Sequence, residues 1–311
     1  EMSMVDTLLM EHLLRGMRLG ARLIMVGDSD QLPSVSAGNV LRDLIQSGLV
    51  PCIHLERVFR QAAESLIVTN AHAIVRGEMP DLGCRTGDFF FLEQPDAFAQ
   101  QRLVGDLVSP LPKSYGYDPL RDIQVITPAK QGPLGTRELN RLLQGKLNPP
   151  ERGKGEATLM GRTLREGDKV MQIRNNYDII WQQPDGTAGT GIFNGDMGII
   201  EMLDPGSKTI QVRFEEKLAT YSFENQDQLE HAYAVTVHKS QGSEFEAVVM
   251  PLERRHPKLH YRNLLYTAVT RARKLLIMTG QKETVYAMVQ NNRRTLRYTN
   301  QREMLQEMCD E

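Results

Sequence analysis

The sequence predicts an α/β protein with a parallel sheet, interrupted by a small inserted all-β module. Three observations lead there. Short, continuously apolar runs alternate with helical stripes across residues 20 to 147, the texture of βα units whose strands are buried on both faces. Between about 148 and 231 the texture changes to short alternating runs broken by GD, NGD and DPGS turns, as in a small antiparallel barrel or sandwich. Beyond it, strands and helices alternate again to the end, which an insertion explains most simply.

Each element follows from its local pattern. Met4, Leu8, Leu9, Leu13 and Met17 make a helical stripe over 3–19, closed by Gly20. Leu23 to Val26 reads as a buried strand that runs into the polar loop Gly27 to Gln31, with a helix from about 39 to 46 after it. Residues 51–56 read as a strand and 62–77 as a helix ended by Gly77. Strand signals recur at 88–92 and 121–126, with helical patterns at 96–108 and 133–147. After the β module the pattern predicts a helix at 236–242, a strand at 246–251, a helix at 259–273, a strand at 275–280 and a last helix from about 283.

At 311 residues the chain has room for two domains. With 41% hydrophobic and 24% charged residues it is an ordinary globular sequence rather than a disordered one. The net charge of −2 names no partner, but its distribution is informative: residues 252–302 hold twelve Lys or Arg against Glu253 and Glu283. Such a segment can track phosphates or form a solvated helical face. Cys52, Cys84 and Cys309 lie far apart, with no CxxC pair and no His at ligand spacing. That pattern implies free thiols in a reducing compartment and neither zinc nor an iron–sulfur cluster. No apolar stretch approaches the ~20 residues that span a bilayer and no signal peptide opens the chain, so a cytoplasmic location without membrane contact is expected. The chain begins with Glu1 and not Met, as expected for a piece of something longer.

Chemistry concentrates in a few loops. In "VGDSDQLPSV", Asp28, Asp30 and Gln31 follow an apolar run, where open α/β sheets bind ligands; a plain Asp-rich turn would look the same. An acidic residue at a strand end, such as Glu1 in "EMSMVD", suits a nucleotide hydrolase that must orient water beside a magnesium ion. Phosphoryl transfer needs countercharge at the γ-phosphate, and Arg60 in "VFRQAAES" and Arg271 in "LLYTAVTRARK" offer it from rigid settings. A surface arginine is nonetheless the commoner fate of the residue type. "TVHKSQGSEF" is polar, small at Ser240 and Gly242 and followed by a buried strand, so it can meet phosphates without reading base identity.

In order and spacing these segments resemble helicase motifs: "MSMVD" the end of motif II, "VGDSDQLPSVSAG" motif III, "LERVFRQAAES" motif IV, "YAVTVHKSQGSEF" motif V and "NLLYTAVTRAR" motif VI. Together they resemble the RecD-like DNA helicases of superfamily 1, the 5′-to-3′ subgroup that includes the alpha chain of exodeoxyribonuclease V. The resemblance implies RecA-like parallel-sheet domains, the first incomplete at 1–56 and the second at 57–164 with 231–311, and an SH3-like β-barrel inserted at 165–230. It implies ATP and Mg2+ as cofactors. Glu1, Gln31, Arg60 and Arg271 would take catalytic roles, with Asp28, Gly242 and Glu244 against the nucleotide. Thr127, Thr236, His238 and Lys239 would hold the backbone of single-stranded DNA, including single-strand/duplex junctions, and other subunits of a nuclease–helicase complex are further expected partners.

The sequence departs from that pattern at its front. No GxxxxGK[ST] phosphate loop occurs, and no Asp precedes Glu1, so the chain by itself is expected to show no DNA-stimulated ATPase. Two other readings stay open: a nonenzymatic single-strand-binding or partner-docking piece, and a relaxase-linked or Pif1-like helicase.

Overall fold

The computed structural model describes residues 1–55, 64–292 and 299–310. The N-terminal part runs α1 (Thr7–Gly16), α2 (Val40–Ser47), α3 (Leu66–Arg76), β1 (Phe89–Glu93), α4 (Ala97–Leu107), α5 (Pro110–Tyr115), β2 (Ile123–Thr127) and α6 (Thr136–Leu147). The insertion contributes β3 (Glu156–Leu159), β4 (Arg162–Arg165), β5 (Lys169–Gln172), β6 (Asn176–Gln182), β7 (Ala188–Ile192), β8 (Met197–Asp204), β9 (Thr209–Phe214) and β10 (Lys217–Ser222), returning through β11 (Leu229–His231). The chain then continues as β12 (Ala234–Thr236), β13 (Phe245–Pro251), α7 (Arg262–Val269), β14 (Ala272–Gly280), α8 (Lys282–Gln290) and α9 (Gln301–Asp310).

Two compact units result. One comprises Glu1–Glu93, Ser240–Phe245 and Leu252–Glu311; the other comprises Gln94–Lys239 and Glu246–Pro251. In the first, β1 pairs in parallel with β14, Phe89 opposite Leu276. Its helix boundaries follow local chemistry: Asp6 accepts from Leu9 N–H, Ser65 from Val68 N–H, and Gly77 ends α3 in the left-handed region. In the second, β2 pairs in parallel with β12 and with β13, and the all-β insertion forms an antiparallel sheet ordered β11-β5-β8-β9-β10-β6-β7 over an apolar core that includes Val170, Ile192, Val212 and Tyr221.

Both ends of the insertion meet at one carboxylate. Asp168 is fully buried, and its oxygens accept from Asn148 Nδ2 (2.6 Å), Gln144 Nε2 (2.7 Å), Tyr233 Oη (2.8 Å) and Arg165 N–H (2.8 Å), with His231 Nε2 at 3.1 Å. Burial alone would raise its pKa, yet the hydrogen bond and charge of His231, with Asn148 and the Arg165 amide, hold it below the ordinary value. The residues leaving α6, those entering β5 and those leading into β12 are thereby tied together. Beside it, burial pushes the Lys169 ammonium down to about 8, against the pull of Asp118 and Asp122.

Five sequence expectations need correction. Residues 23–26 and 51–55 form no strand, because a continuous apolar run becomes one only where neighbours supply ladder partners. Ile24 and Ile53 are instead 86% and 87% exposed. The stripe over 3–19 is a single turn at 2–4 and then α1, broken where Asp6 caps the helix. Residues 237–242 are turns and not a helix, since Thr236 Oγ1 accepts from Lys239 N–H and Gly242 takes φ +78°. The helix expected over 259–273 is confined to α7, and β14 begins at Ala272. The exposed apolar runs carry a testable consequence. Ile24→Lys with Ile53→Lys should cost less than about 0.5 kcal/mol in denaturant unfolding and should lower binding of the dye ANS and self-association in ultracentrifugation.

Candidate nucleotide and nucleic-acid site

Within the first unit, Arg271 is the centre of a polar cluster. It is only 5% exposed, and its guanidinium donates to Thr267 O (3.0 Å), Ser243 O (3.1 Å), Gln31 Oε1 (3.1 Å) and Thr270 Oγ1 (3.2 Å). All four acceptors are neutral. Burial lowers its pKa, opposed by the through-space field of Glu244, Glu1, Tyr266 and Asp28. An arginine stays protonated under such conditions, so a desolvated positive charge is held in place with neutral oxygens around it.

Gln31 links this charge to the loop that precedes it. Its Nε2 donates to Asp28 Oδ2 (3.3 Å) while its Oε1 accepts from Arg271. Asp28 also accepts from Asp30 N–H (2.9 Å) and from Tyr266 Oη (2.7 Å). Burial and that carboxylate push the Tyr266 phenol up. The loop is clamped again where Leu32 N–H donates to Thr267 Oγ1 (2.8 Å), Gln241 Nε2 to Leu32 O (2.7 Å) and Asn263 Nδ2 to Asp30 O (2.8 Å). Asn263, Tyr266, Thr267 and Thr270 are the residues that sequence reading missed. Their i, i+3, i+4, i+7 spacing is a polar stripe on an otherwise apolar α7, and that stripe is the signal that marks them.

The remaining expected nucleotide contacts lie around this cluster to different degrees. Glu1 is exposed and accepts from Ser3 Oγ. Gly242 sits in the turn 240–243 at φ +78°, where a Cβ would be 3.5 Å from Met4 sulfur, so conformation and not space requires glycine. Glu244 is exposed, with Arg273 at 3.6 Å. Arg60 lies outside the described residues. Among the described residues no group of three or more His, Cys, Asp or Glu could hold a metal ion.

Within the second unit, the expected strand-contacting residues collect at the carboxyl ends of parallel strands. Thr127 and Thr236 are register partners on β2 and β12, and His238 and Lys239 lie in the turn after β12. Thr127 is buried, its hydroxyl donating to Leu134 O (2.7 Å) and its carbonyl accepting from Val237 N–H (3.2 Å), so it shapes both loops. Burial and the nearby Lys130 lower the His238 pKa and favour the neutral imidazole. Lys239 Nζ lies 2.7 Å from Glu230. Burial alone would raise the Glu230 pKa, but Lys239, Arg162 and Lys130 leave it lowered.

Comparison with known proteins bears on the family and the fold. Residues 139–214 match the family described as the SH3 domain of ATP-dependent RecD-like DNA helicases, residues 231–279 the UvrD-like helicase C-terminal domain, and residues 1–86 an AAA domain. The ATP-dependent RecD2 DNA helicase of Deinococcus radiodurans is 36% identical over 282 residues, which is 90% of this chain. The chain belongs to the RecD-like helicase family. The RecD subunit of the RecBCD enzyme of Mycobacterium tuberculosis is 30% identical over 320 residues. This RecD-like chain spans 35% of the length of the first relative and 52% of the second. Among solved structures, a Pif1 helicase from Bacteroides in complex with ADP-AlF3 and single-stranded DNA is similar in fold, with TM-score 0.52 at 19% identity over 93% of this chain and 71% of that one. The α/β fold is therefore the parallel-sheet, RecA-like one, with the antiparallel SH3-like module set into it. No helix among the described residues is long and apolar enough to cross a membrane.

Proposed function

We propose that this chain is the C-terminal motor portion of an ATP-dependent DNA helicase that moves 5′-to-3′ on single-stranded DNA and serves recombination or repair in the cytoplasm. The observation that carries the reading is Arg271, a buried cation among neutral acceptors and joined through Gln31 to Asp28. Such a charge is costly to desolvate, and an arriving phosphate recovers that cost by replacing lost hydration with a charge-assisted bond. The short share of each relative's length supports a parent protein whose upstream residues supply the phosphate loop and the Mg2+ ligands. In that protein residues 1–56 would complete the first RecA-like domain, and 57–164 with 231–311 would form the second.

ATP, as substrate, supplies a γ-phosphate whose negative charge grows in the transition state, and the chain's own residues do the rest. Arg271 neutralises that charge, and Arg60 is the second cation. Gln31, holding both Arg271 and Asp28, changes partner when the γ-phosphate leaves. Glu1 orients the attacking water. Thr236, His238 and Lys239, on a turn continuous in sequence with Gly242 and Glu244, grip the strand's phosphates. Loss of the γ-phosphate contacts then reopens the nucleotide cleft and resets the grip.

Strand displacement by the upstream-extended protein tests the reading: duplexes with 5′ tails should be unwound and those with 3′ tails should not. Unwinding from 3′ tails alone, or hydrolysis indifferent to DNA, defeats it. A further expectation concerns the grip. Lys239→Ala should weaken single-strand binding at every sequence and reduce the slope of log affinity against log salt by about 1, read by anisotropy across a salt series.

A further inference from the structure

The inserted module differs in charge from the chain that carries it. Residues 165–230 hold twelve Asp or Glu against six Lys or Arg, a net −6, while the rest holds 31 Lys or Arg against 27 acidic residues, a net +4. A surface of that sign repels a phosphate backbone and attracts a basic chain.

The same module opens a cleft. Strands β6 and β10 pair at Gln182–Leu218 and Trp181–Ala219 and then part, with Asp178 N–H turned back to Asn176 Oδ1 (2.9 Å) at an irregularity in β6. Between Asp178–Gln182 on one side and Leu218, Thr220 and Ser222 on the other lies a cleft of about 470 Å³. Apolar Ile179, Ile180, Trp181 and Leu218 line it, and among the described residues Asp178 is the one charged group that does. Ile180 is 63% exposed.

Trp181 is packed into one wall of the cleft. Its ring lies against Gly189, where an ideal Cβ would come within 2.5 Å, so β7 needs glycine there to admit the indole. Lys217 Nζ sits 4.9 Å from the ring centroid. The indole Nε1–H is buried without an acceptor among the described residues.

We propose that the β6–β10 cleft docks an extended, basic segment of a partner polypeptide by strand addition. The segment enters where the two strands part, its backbone adding to their edges, its apolar side chains meeting Ile180 and Leu218 and its cations facing Asp178. This site is separate from the strand-gripping turn and does not depend on the helicase reading.

Trp181 is the chain's single tryptophan, so its emission and its indole ¹H–¹⁵N resonance report this cleft alone. The titrant is a ten-residue peptide alternating Lys and Val, with three controls: a Glu–Val peptide, the Lys–Val peptide with alternate amides N-methylated, and oligothymidylate. Saturable change with the Lys–Val peptide only is expected, weakened about tenfold by Ile180→Lys and by Asp178→Lys at unchanged thermal midpoint. The proposal is overturned by no saturable change up to about 1 mM peptide, by equal response to the Glu–Val or N-methylated peptide, or by variants that bind as the parent sequence does. A response to oligothymidylate alone assigns the cleft to nucleic acid and also overturns it.

Discussion

Arg271→Ala, introduced into the upstream-extended protein proposed above, should lower DNA-stimulated ATP hydrolysis by about three orders of magnitude or more, with single-strand affinity nearly unchanged. Among the described residues the guanidinium contacts no charged partner, and its hydrogen bonds to Thr267, Ser243, Gln31 and Thr270 hold its position and do not neutralise it. Arg271→Lys should recover little, because one ammonium cannot keep bonds to Thr267 O, Ser243 O and Gln31 Oε1 while also presenting charge to a phosphate. Steady-state hydrolysis with and without oligothymidylate measures the first effect and anisotropy the second. Equal loss of strand binding would show that Arg271 holds the fold and not the nucleotide. Tyr266→Phe separates the roles further: it removes the phenol bond to Asp28 (2.7 Å), and should change hydrolysis far less than the loss of Arg271 does.

The largest effect on stability is expected at Asp168. Its replacement by alanine strands donors from Gln144, Asn148, Tyr233 and the Arg165 amide in a dry interior, and the cost should be on the order of 3–5 kcal/mol in denaturant unfolding. The pH dependence has a definite sign. The folded pKa lies below the unfolded value of about 3.9, so the stabilisation is complete above that value and is lost as pH falls through the lowered folded one. Asp168→Asn should therefore be less stable near neutral pH and flatten the acid limb of a plot of midpoint against pH. An unchanged acid limb would place the titrating group elsewhere.

Sequence made some of this legible and not the rest, for physical reasons. The helix end at Gly77 is a local event, decided by a backbone angle, and it is legible; the start is expected at 62, and the Ser65 cap sets it at Leu66. The βα alternation and the antiparallel module also follow from periodicity, which is why β2, β13 and the inserted antiparallel strands appear where the pattern put them, whereas β12 ends at Thr236, where a helix was expected to begin. The 23–26 run fails as a strand because ladder partners are long-range and its own residues do not carry them. Gln31 and Arg271, 240 positions apart, could be chosen by residue type and family likeness, but their 3.1 Å contact comes from α7 folding over the motif III loop. Tyr266 and Thr267 were hidden because a polar stripe on a short apolar helix looks like ordinary surface. Thr127 was visible as a residue and not as a buried one, since its hydroxyl serves Leu134, seven positions on.

Fastening the exit and the return of the insertion at Asp168 has an evolutionary corollary. When the two ends of an inserted segment are already brought together by the host, what lies between them can be lengthened, trimmed or exchanged at little more than the entropy of closing a loop, and that grows slowly with length. The β module can thus behave as a cassette, free to diverge in surface charge and in the company it keeps, while helix α6 and strand β12 retain their shape.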